Sequence, residues 1–149
     1  MADRLAELGV ALPPVPVPVA AYVPAVRTGD LVYTSGQLPI VAGELVATGR
    51  VGAEVPIEDA TVAARTCALN ALAAVDALVG LNAIRRVVKV VGFVASAPGF
   101  TDQPAVVNGA SELLGAIFGG PGQHARSAVG VAELPRGAPV EVELIVEVG

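Results

Sequence analysis

The chain has 149 residues, enough for one domain with a substantial core, and is 54% hydrophobic and 15% charged with a net charge of −5. The acidic balance argues against a phosphate-binding surface, which needs clustered Lys and Arg. The single cysteine, Cys67, excludes a disulfide framework.

The apolar excess is high for a lone domain and points to surface hidden between copies of the chain. Aromatic residues make up only 3%, so the expected core is Val, Ala and Leu. The first residues lack the basic start and unbroken apolar run of a secretory signal. No run of about 18 apolar residues suits a bilayer. The expected location is therefore cytoplasmic, with no membrane and no nucleic acid as partner.

Residues 4–8 read as one helical turn closed by Gly9. Pro13, Pro14, Pro16 and Pro18 then alternate with valines. Proline has no amide donor and favours extended backbone, so residues 1–21 read as an arm ahead of a domain spanning 22–149. Such an arm straps its own subunit or a neighbour. Residues 22–26 and 31–37 read as strands joined at Thr28-Gly29-Asp30, with a short third strand at 43–46.

A helix follows. Pro56 suits its first turn, and Glu58 and Asp59 suit the positive end of the helix dipole. Val62, Leu69, Leu72, Val75 and Val79 recur at helical spacing, Cys67 reads as a buried thiol within it, and Gly80 stops it. The pair Arg85-Arg86 with Lys89 reads as a solvated lead-in to a strand at 87–95. That strand is nearly unbroken in apolar residues and is expected to be buried on both faces.

The second helix has Thr101 or Asp102 as cap and Pro104 near its start. Val106, Val107, Ala110, Leu113, Leu114, Ile117 and Phe118 form its apolar stripe, and Gly119-Gly120 end it. Strands at 125–132 and 140–148 close the chain. In the last, Val140, Val142, Leu144, Val146 and Val148 alternate with Glu141, Glu143, Ile145 and Glu147. The order β-β-(β)-α-β-α-β-β predicts an α+β domain with both helices on one face of a sheet. There is no internal repeat.

With residues 134–139 as a loop, the last two strands are expected to pair as an antiparallel hairpin. The hydrophobic pattern then sets Val129 and Val131 beneath the helices. It sends Arg126, Ala128 and Gly130 to the face of Glu141, Glu143 and Glu147, where the small residues leave room for another backbone or a small ligand.

Arg126 is the most informative residue. An arginine among small and β-branched strand residues is costly unless its charge is matched. Its planar fork suits a carboxylate. Either Glu147 supplies that carboxylate across the hairpin, or a ligand does. Glu141 would lie several residue pairs from Arg126, so the two share a pocket only if they come from different subunits.

Other chemistries find little support. The sequence has no Cys/His cluster for a metal and no convincing Ser/His/acid arrangement. Gly119-Gly120-Pro121-Gly122 follows a helix and lacks the lysine of a phosphate loop, so it reads as a turn.

Several segments together resemble the Rid family, the RidA-like reactive-intermediate deaminases. Thr34-Ser35-Gly36-Gln37-Leu38-Pro39 is similar to the motif closing that family's second strand. Ala125-Arg126-Ser127 is similar to its arginine strand. Leu134-Pro135 followed by Val140-Glu141-Val142-Glu143 resembles its final hairpin. Tyr22 and Asn108 fall where the family has a tyrosine and an asparagine.

The resemblance, from about Tyr22 to Val148, implies a chorismate-mutase-like α+β fold assembled as a homotrimeric barrel with clefts between subunits. It implies hydrolysis of reactive enamines and imines such as 2-aminoacrylate to 2-keto acids and ammonia, without metal or organic cofactor. Carried over, Arg126 would clamp the substrate carboxylate and Glu141 would act as general acid/base. Tyr22 and Ser35 would line the cleft, backbone groups around Gly36 would contact the substrate nitrogen, and Asn108 would support the site.

The chain departs from the family at Ala128, where RidA has a cysteine, and at His124, where a proline is usual. His124 reads as a solvated loop residue or as the edge of the cleft. The arm and the long segment 94–103 mark a distinct branch. The competing readings are a non-enzymatic trimer that binds small carboxylates or acts as a chaperone and, with least support, a ribonuclease.

Overall fold

The computed structural model describes residues 1–18 and 21–149. In chain order the elements are α1 (Ala2–Glu7), β1 (Ala25–Thr28), β2 (Leu31–Thr34), β3 (Ile40–Val41), β4 (Glu44–Leu45), α2 (Ile57–Val79), β5 (Ile84–Ala95), α3 (Gln103–Phe118), β6 (Ala125–Val131) and β7 (Val140–Val148). β3 and β4 form a separate small ribbon, and the other strands make one mixed sheet in the order β1-β2-β7-β5-β6. The helices pack together on one face of that sheet, as an α+β chain with this periodicity should.

The helices form where the pattern predicts, with one change in how α2 packs. Its buried face is mostly alanine: Ala60, Ala63, Ala64, Cys67, Ala68, Ala71 and Ala74 lie inside, while Val62 is 61% exposed. Alanines let α3 come close. At Gly109 a Cβ would stand only 2.0 Å from the Thr61 carbonyl oxygen, so only glycine fits the crossing. α2 is long and apolar enough to suit a bilayer by composition, but 56% of its most apolar window is buried inside the fold. On α3, Asp102 stands at the N-cap, Pro104 lies in the first turn, and the predicted stripe is buried except for Phe118, which is half-buried.

The arm begins as α1, and its Leu5, Leu8, Val10 and Leu12 pack on the chain's own core. Arg4 donates through Nε and Nη2 to the carbonyl of Ala116 near the C-terminus of α3, at 3.0 and 2.7 Å. A cation satisfying a carbonyl there also suits the helix dipole.

The closing strands depart from expectation. β6 and β7 do not form a hairpin, because β5 lies between them, parallel to β6 and antiparallel to β7. The reason is topological. β5–α3–β6 is a strand–helix–strand crossover, which makes its two strands parallel neighbours. β5, the long apolar strand, takes the position with partners on both sides. It is buried only toward the helices: Val90 and Val94 are inside, whereas Val91 and Phe93 are half-buried on the other face.

This order inverts the expected orientation of β6. Arg126 is in register with Val90, which in turn pairs with Leu144, and both of these apolar side chains are buried beneath the helices. Arg126 therefore looks toward α3. Val129, expected beneath the helices, is 44% exposed on the opposite, open face. Glu141, Glu143 and Glu147 share that open face, so of the two partners open to Arg126 in the sequence, the ion pair with Glu147 does not form. The room expected beside the small residues is already taken. Ala128 packs on the core, and a Cβ at Gly130 would meet Gln103 Nε2 at 2.8 Å.

Candidate active site

The residues singled out by sequence fall into two groups. The first gathers around Glu141. β2 and β7 are paired as far as Tyr33 with Ile145, and the ladder resumes with Gln37 against Val142. β2 has one extra residue over that stretch, so the segment through Thr34, Ser35 and Gly36 bulges. The Leu144 amide, denied a backbone acceptor at the bulge, donates to Thr34 Oγ1 at 2.9 Å.

The bulge sets Gly36 against the Glu141 carboxyl. A Cβ on Gly36 would lie 2.8 Å from both Cδ and Oε1 of Glu141. Ser35 ties the bulge to the segment leading into β1, its Oγ donating to the Val23 carbonyl at 2.6 Å and its amide to the Pro24 carbonyl at 2.8 Å. Tyr22, Gly36, Gln37 and Glu141 line one cleft with apolar walls from Leu38, Ile40 and Pro135. Pro16, Val17 and Pro18 of the arm form its outer side.

Beneath the cleft, Asn70 of α2 is buried. Its Nδ2 donates to the carbonyls of Leu38 and Ile40, each at 3.0 Å, and pins the wall. Burial, and then the neighbouring Glu143, raise the Glu141 carboxyl above the usual carboxylate range. Such a carboxyl exchanges a proton closer to neutral pH than an ordinary glutamate. Cys67 lies nearby with its thiol against the Val140 carbonyl, fully buried and pushed well up by that burial, as an inert structural thiol should be.

The second group surrounds Arg126. Pro104, Asn108 and Ser111 recur along one face of α3 at spacings of four and three residues, and that face borders β6. Arg126 Nη1 donates to Asn108 Oδ1 at 2.8 Å and to Ser111 Oγ at 3.2 Å, and Nη2 reaches the Pro104 carbonyl at 3.4 Å. All of these acceptors are neutral. Among the described residues no carboxylate forms an ion pair with Arg126. The guanidinium is oriented, but its charge is unmatched.

Within one chain the two groups do not meet. Arg126 and Glu141 lie on opposite faces of the sheet, two strands over and three residues along, about 14 Å apart from ordinary strand spacings. Among the described residues no set of three or more His, Cys, Asp or Glu side chains gathers as a metal site.

Sequence reasoning missed Ser111, Asn70 and the engagement of His124. His124 is half-buried, and both of its ring nitrogens are hydrogen-bonded. The spacing of Asn108 and Ser111 on α3 was the available signal for a polar face. Asn70 gave only a weak one, as a polar residue on an alanine face.

A family model described as Endoribonuclease L-PSP matches residues 14–148. The chain belongs to the Rid (L-PSP) family. It is 44% identical over 149 residues to protein TCP17 of Trypanosoma cruzi, covering 99% of this chain and 93% of that protein. It is 38% identical over 138 residues to a 2-iminobutanoate/2-iminopropanoate deaminase of Dermatophagoides farinae, covering 92% of this chain and 93% of that protein.

Among solved structures, Atu1372 of Agrobacterium tumefaciens, a protein of unknown function, superposes with a TM-score of 0.90 at 49% identity, covering 99% of this chain and 92% of that one. TdcF of E. coli, solved with bound serine, gives a TM-score of 0.65 at 25% identity, covering 93% of this chain and 94% of that one. Members of this family thus bind small ligands, and a relative carries the name of an imine deaminase.

Proposed function

We propose that the chain hydrolyses short-lived imines and enamines of small carboxylic acids, of which 2-aminoacrylate is the simplest, in clefts between copies of the chain in a homotrimer. The observation that carries this reading is the state of Arg126, a guanidinium held in place by neutral acceptors with no carboxylate partner among the described residues. Its fork suits the carboxylate of a substrate. The name of the mite relative and the serine bound to TdcF support a small carboxylate-bearing ligand.

The need for a second copy follows from the separation of Arg126 and Glu141 on opposite sheet faces. Val26, Tyr33 and Val129 are exposed on the open face at 54%, 45% and 44% and offer apolar surface for association. In the proposed site, Arg126 of one copy clamps the carboxylate and Glu141 of a neighbour takes a proton from the attacking water. Tyr22 and Gly36 line the cleft, Ser35 ties its edge to Val23 and Pro24, and Asn108 steadies Arg126.

The reaction balances without redox change. An enamine first takes a proton on its terminal carbon and gives one up from its nitrogen to become the imine. Water adds to the imine carbon as the nitrogen is protonated. The resulting carbinolamine expels ammonia while its hydroxyl loses a proton, leaving the 2-keto acid. The C=N bond is already reactive in water, so positioning and one proton shuttle suffice, and no cofactor enters the scheme.

The test is to generate the imino acid in situ with an amino-acid oxidase, trap it with semicarbazide, and follow the loss of trapped product. Wild-type protein should suppress trapping, Arg126→Ala should not, and light scattering should give three times the chain mass. Undiminished trapping with wild-type protein overturns the enzyme reading. In that event, Arg126-dependent binding of 2-oxobutyrate would leave a carboxylate-binding protein. Cleavage of RNA that persists in repurified Arg126→Ala would favour the nuclease after which the family model is named.

A further inference from the structure

His124 is the one histidine of the chain and has no part in the scheme above. It lies between the turn at Gly120–Gly122 and β6. Its Nδ1 is 2.6 Å from the Gly122 carbonyl oxygen, and its Nε2 is 2.8 Å from Ser111 Oγ. A carbonyl only accepts, so Nδ1 carries a proton. In the neutral ring Nε2 is then bare, and the Ser111 hydroxyl donates to it.

Ser111 Oγ also accepts from Arg126 Nη1 at 3.2 Å. The polarity of the whole chain of hydrogen bonds is therefore set: Arg126 donates to Ser111, Ser111 to His124, and His124 to the Gly122 carbonyl. A serine hydroxyl rotates freely in water and offers its proton or a lone pair in any direction. Here the imidazole takes the proton, which leaves a lone pair for the guanidinium. Asn108 accepts from the same Arg126 nitrogen at 2.8 Å, so Nη1 is held by both acceptors while Nε makes no hydrogen bond among the described residues.

We propose that Ser111 and His124 are positioning residues for Arg126: the imidazole, locked as the Nδ1–H tautomer by the Gly122 carbonyl, orients the Ser111 hydroxyl, which orients the carboxylate-binding guanidinium. This rests on the reading of Arg126 as a carboxylate clamp. It assigns a task to two side chains that neither the sequence motifs nor that reading used. Removing either should loosen the fork before substrate arrives, so the cost falls on carboxylate binding and KM rather than on the proton transfer at Glu141.

The experiment uses the full chain and 2-oxobutyrate as probe. Titration calorimetry is run on wild type, Ser111→Ala, His124→Ala and the double variant. Long-range 1H–15N spectra of the single imidazole are recorded at pH 8.

Each single variant should weaken 2-oxobutyrate binding about five-fold, the worth of one ordinary hydrogen bond. The double variant should lose little more than either single one, because both break one chain. The wild-type ring should show the Nδ1–H tautomer, and its signals should move on addition of 2-oxobutyrate. An Nε2–H tautomer, additive losses, or unchanged affinity in both single variants overturns the inference while leaving the Arg126 clamp standing. Failure of 2-oxobutyrate to bind wild type overturns the clamp itself. The tautomer is read on unmodified protein, so a variant that folds poorly does not remove the test.

Discussion

Gly36 and the Glu141 carboxyl stand so close that no Cβ fits between them: one built on Gly36 lies 2.8 Å from Cδ and Oε1 of Glu141. The neighbour is the far end of a flexible side chain, so Gly36→Ala should fold, with a stability loss of about 1 kcal/mol or less as the glutamate swings aside. Turnover should suffer far more, because a general base displaced by about 1 Å costs on the order of 100-fold in rate. Thermal melts and the semicarbazide assay on the same preparation separate the two effects. A large stability loss, or full activity, would contradict the geometry.

Glu141→Gln should separate stability from activity in the opposite sense. Burial and Glu143 raise the Glu141 carboxyl, so the folded state holds its proton to higher pH than the unfolded chain does. This favourable contribution is complete below the unfolded carboxylate range and is lost as pH rises through the folded value. Wild type should therefore lose stability over that window more than Glu141→Gln, which should melt higher at pH 7 and no higher at pH 4. Turnover should fall about 100-fold or more with loss of the proton shuttle. Equal melting temperatures at both pH values would show that the carboxyl is not raised.

Asn70 lies under the cleft with 1% exposure, and its amide donates to the carbonyls of both Leu38 and Ile40. Asn70→Leu would leave two carbonyls with one partner fewer each and should cost about 2–4 kcal/mol. Asn70→Asp should cost more, since a carboxylate there would face two carbonyl oxygens. Urea denaturation of both variants checks the order, and a reversed order would mean that the amide is not what holds the wall.

The helix pair gives an internally controlled prediction. Gly109→Ala sets a methyl group 2.0 Å from the Thr61 carbonyl oxygen, a clash of backbone on which two helices depend. It should cost about 3 kcal/mol or more. Gly115→Ala, on the same helix but facing open space, should instead stabilise the chain by about 0.5–1 kcal/mol. Opposite shifts in melting temperature are expected. Equal shifts would mean the helices are not in this contact.

The sequence alone determined the helices and the alternation of β7, and it singled out Arg126 and Glu141 as candidates. Each of these depends on near neighbours along the chain: prolines at their starts and glycines at their ends bound α2 and α3, and a period of two residues divides Val140 to Val148 between faces. The face of Arg126 was not legible, because alternation says which residues of a strand share a side but not which side that is. The answer depended on β5 entering between β6 and β7, a choice made by the α3 crossover. The companions of Arg126 and of Glu141 were hidden for the same reason. Ser111 meets Arg126 across a helix–strand contact, and Gly36 meets Glu141 only because β2 carries one residue more than β7 at the bulge. Periodicity is a property of the local backbone, whereas strand order and bulge register are decided by the packing of the whole sheet against its helices.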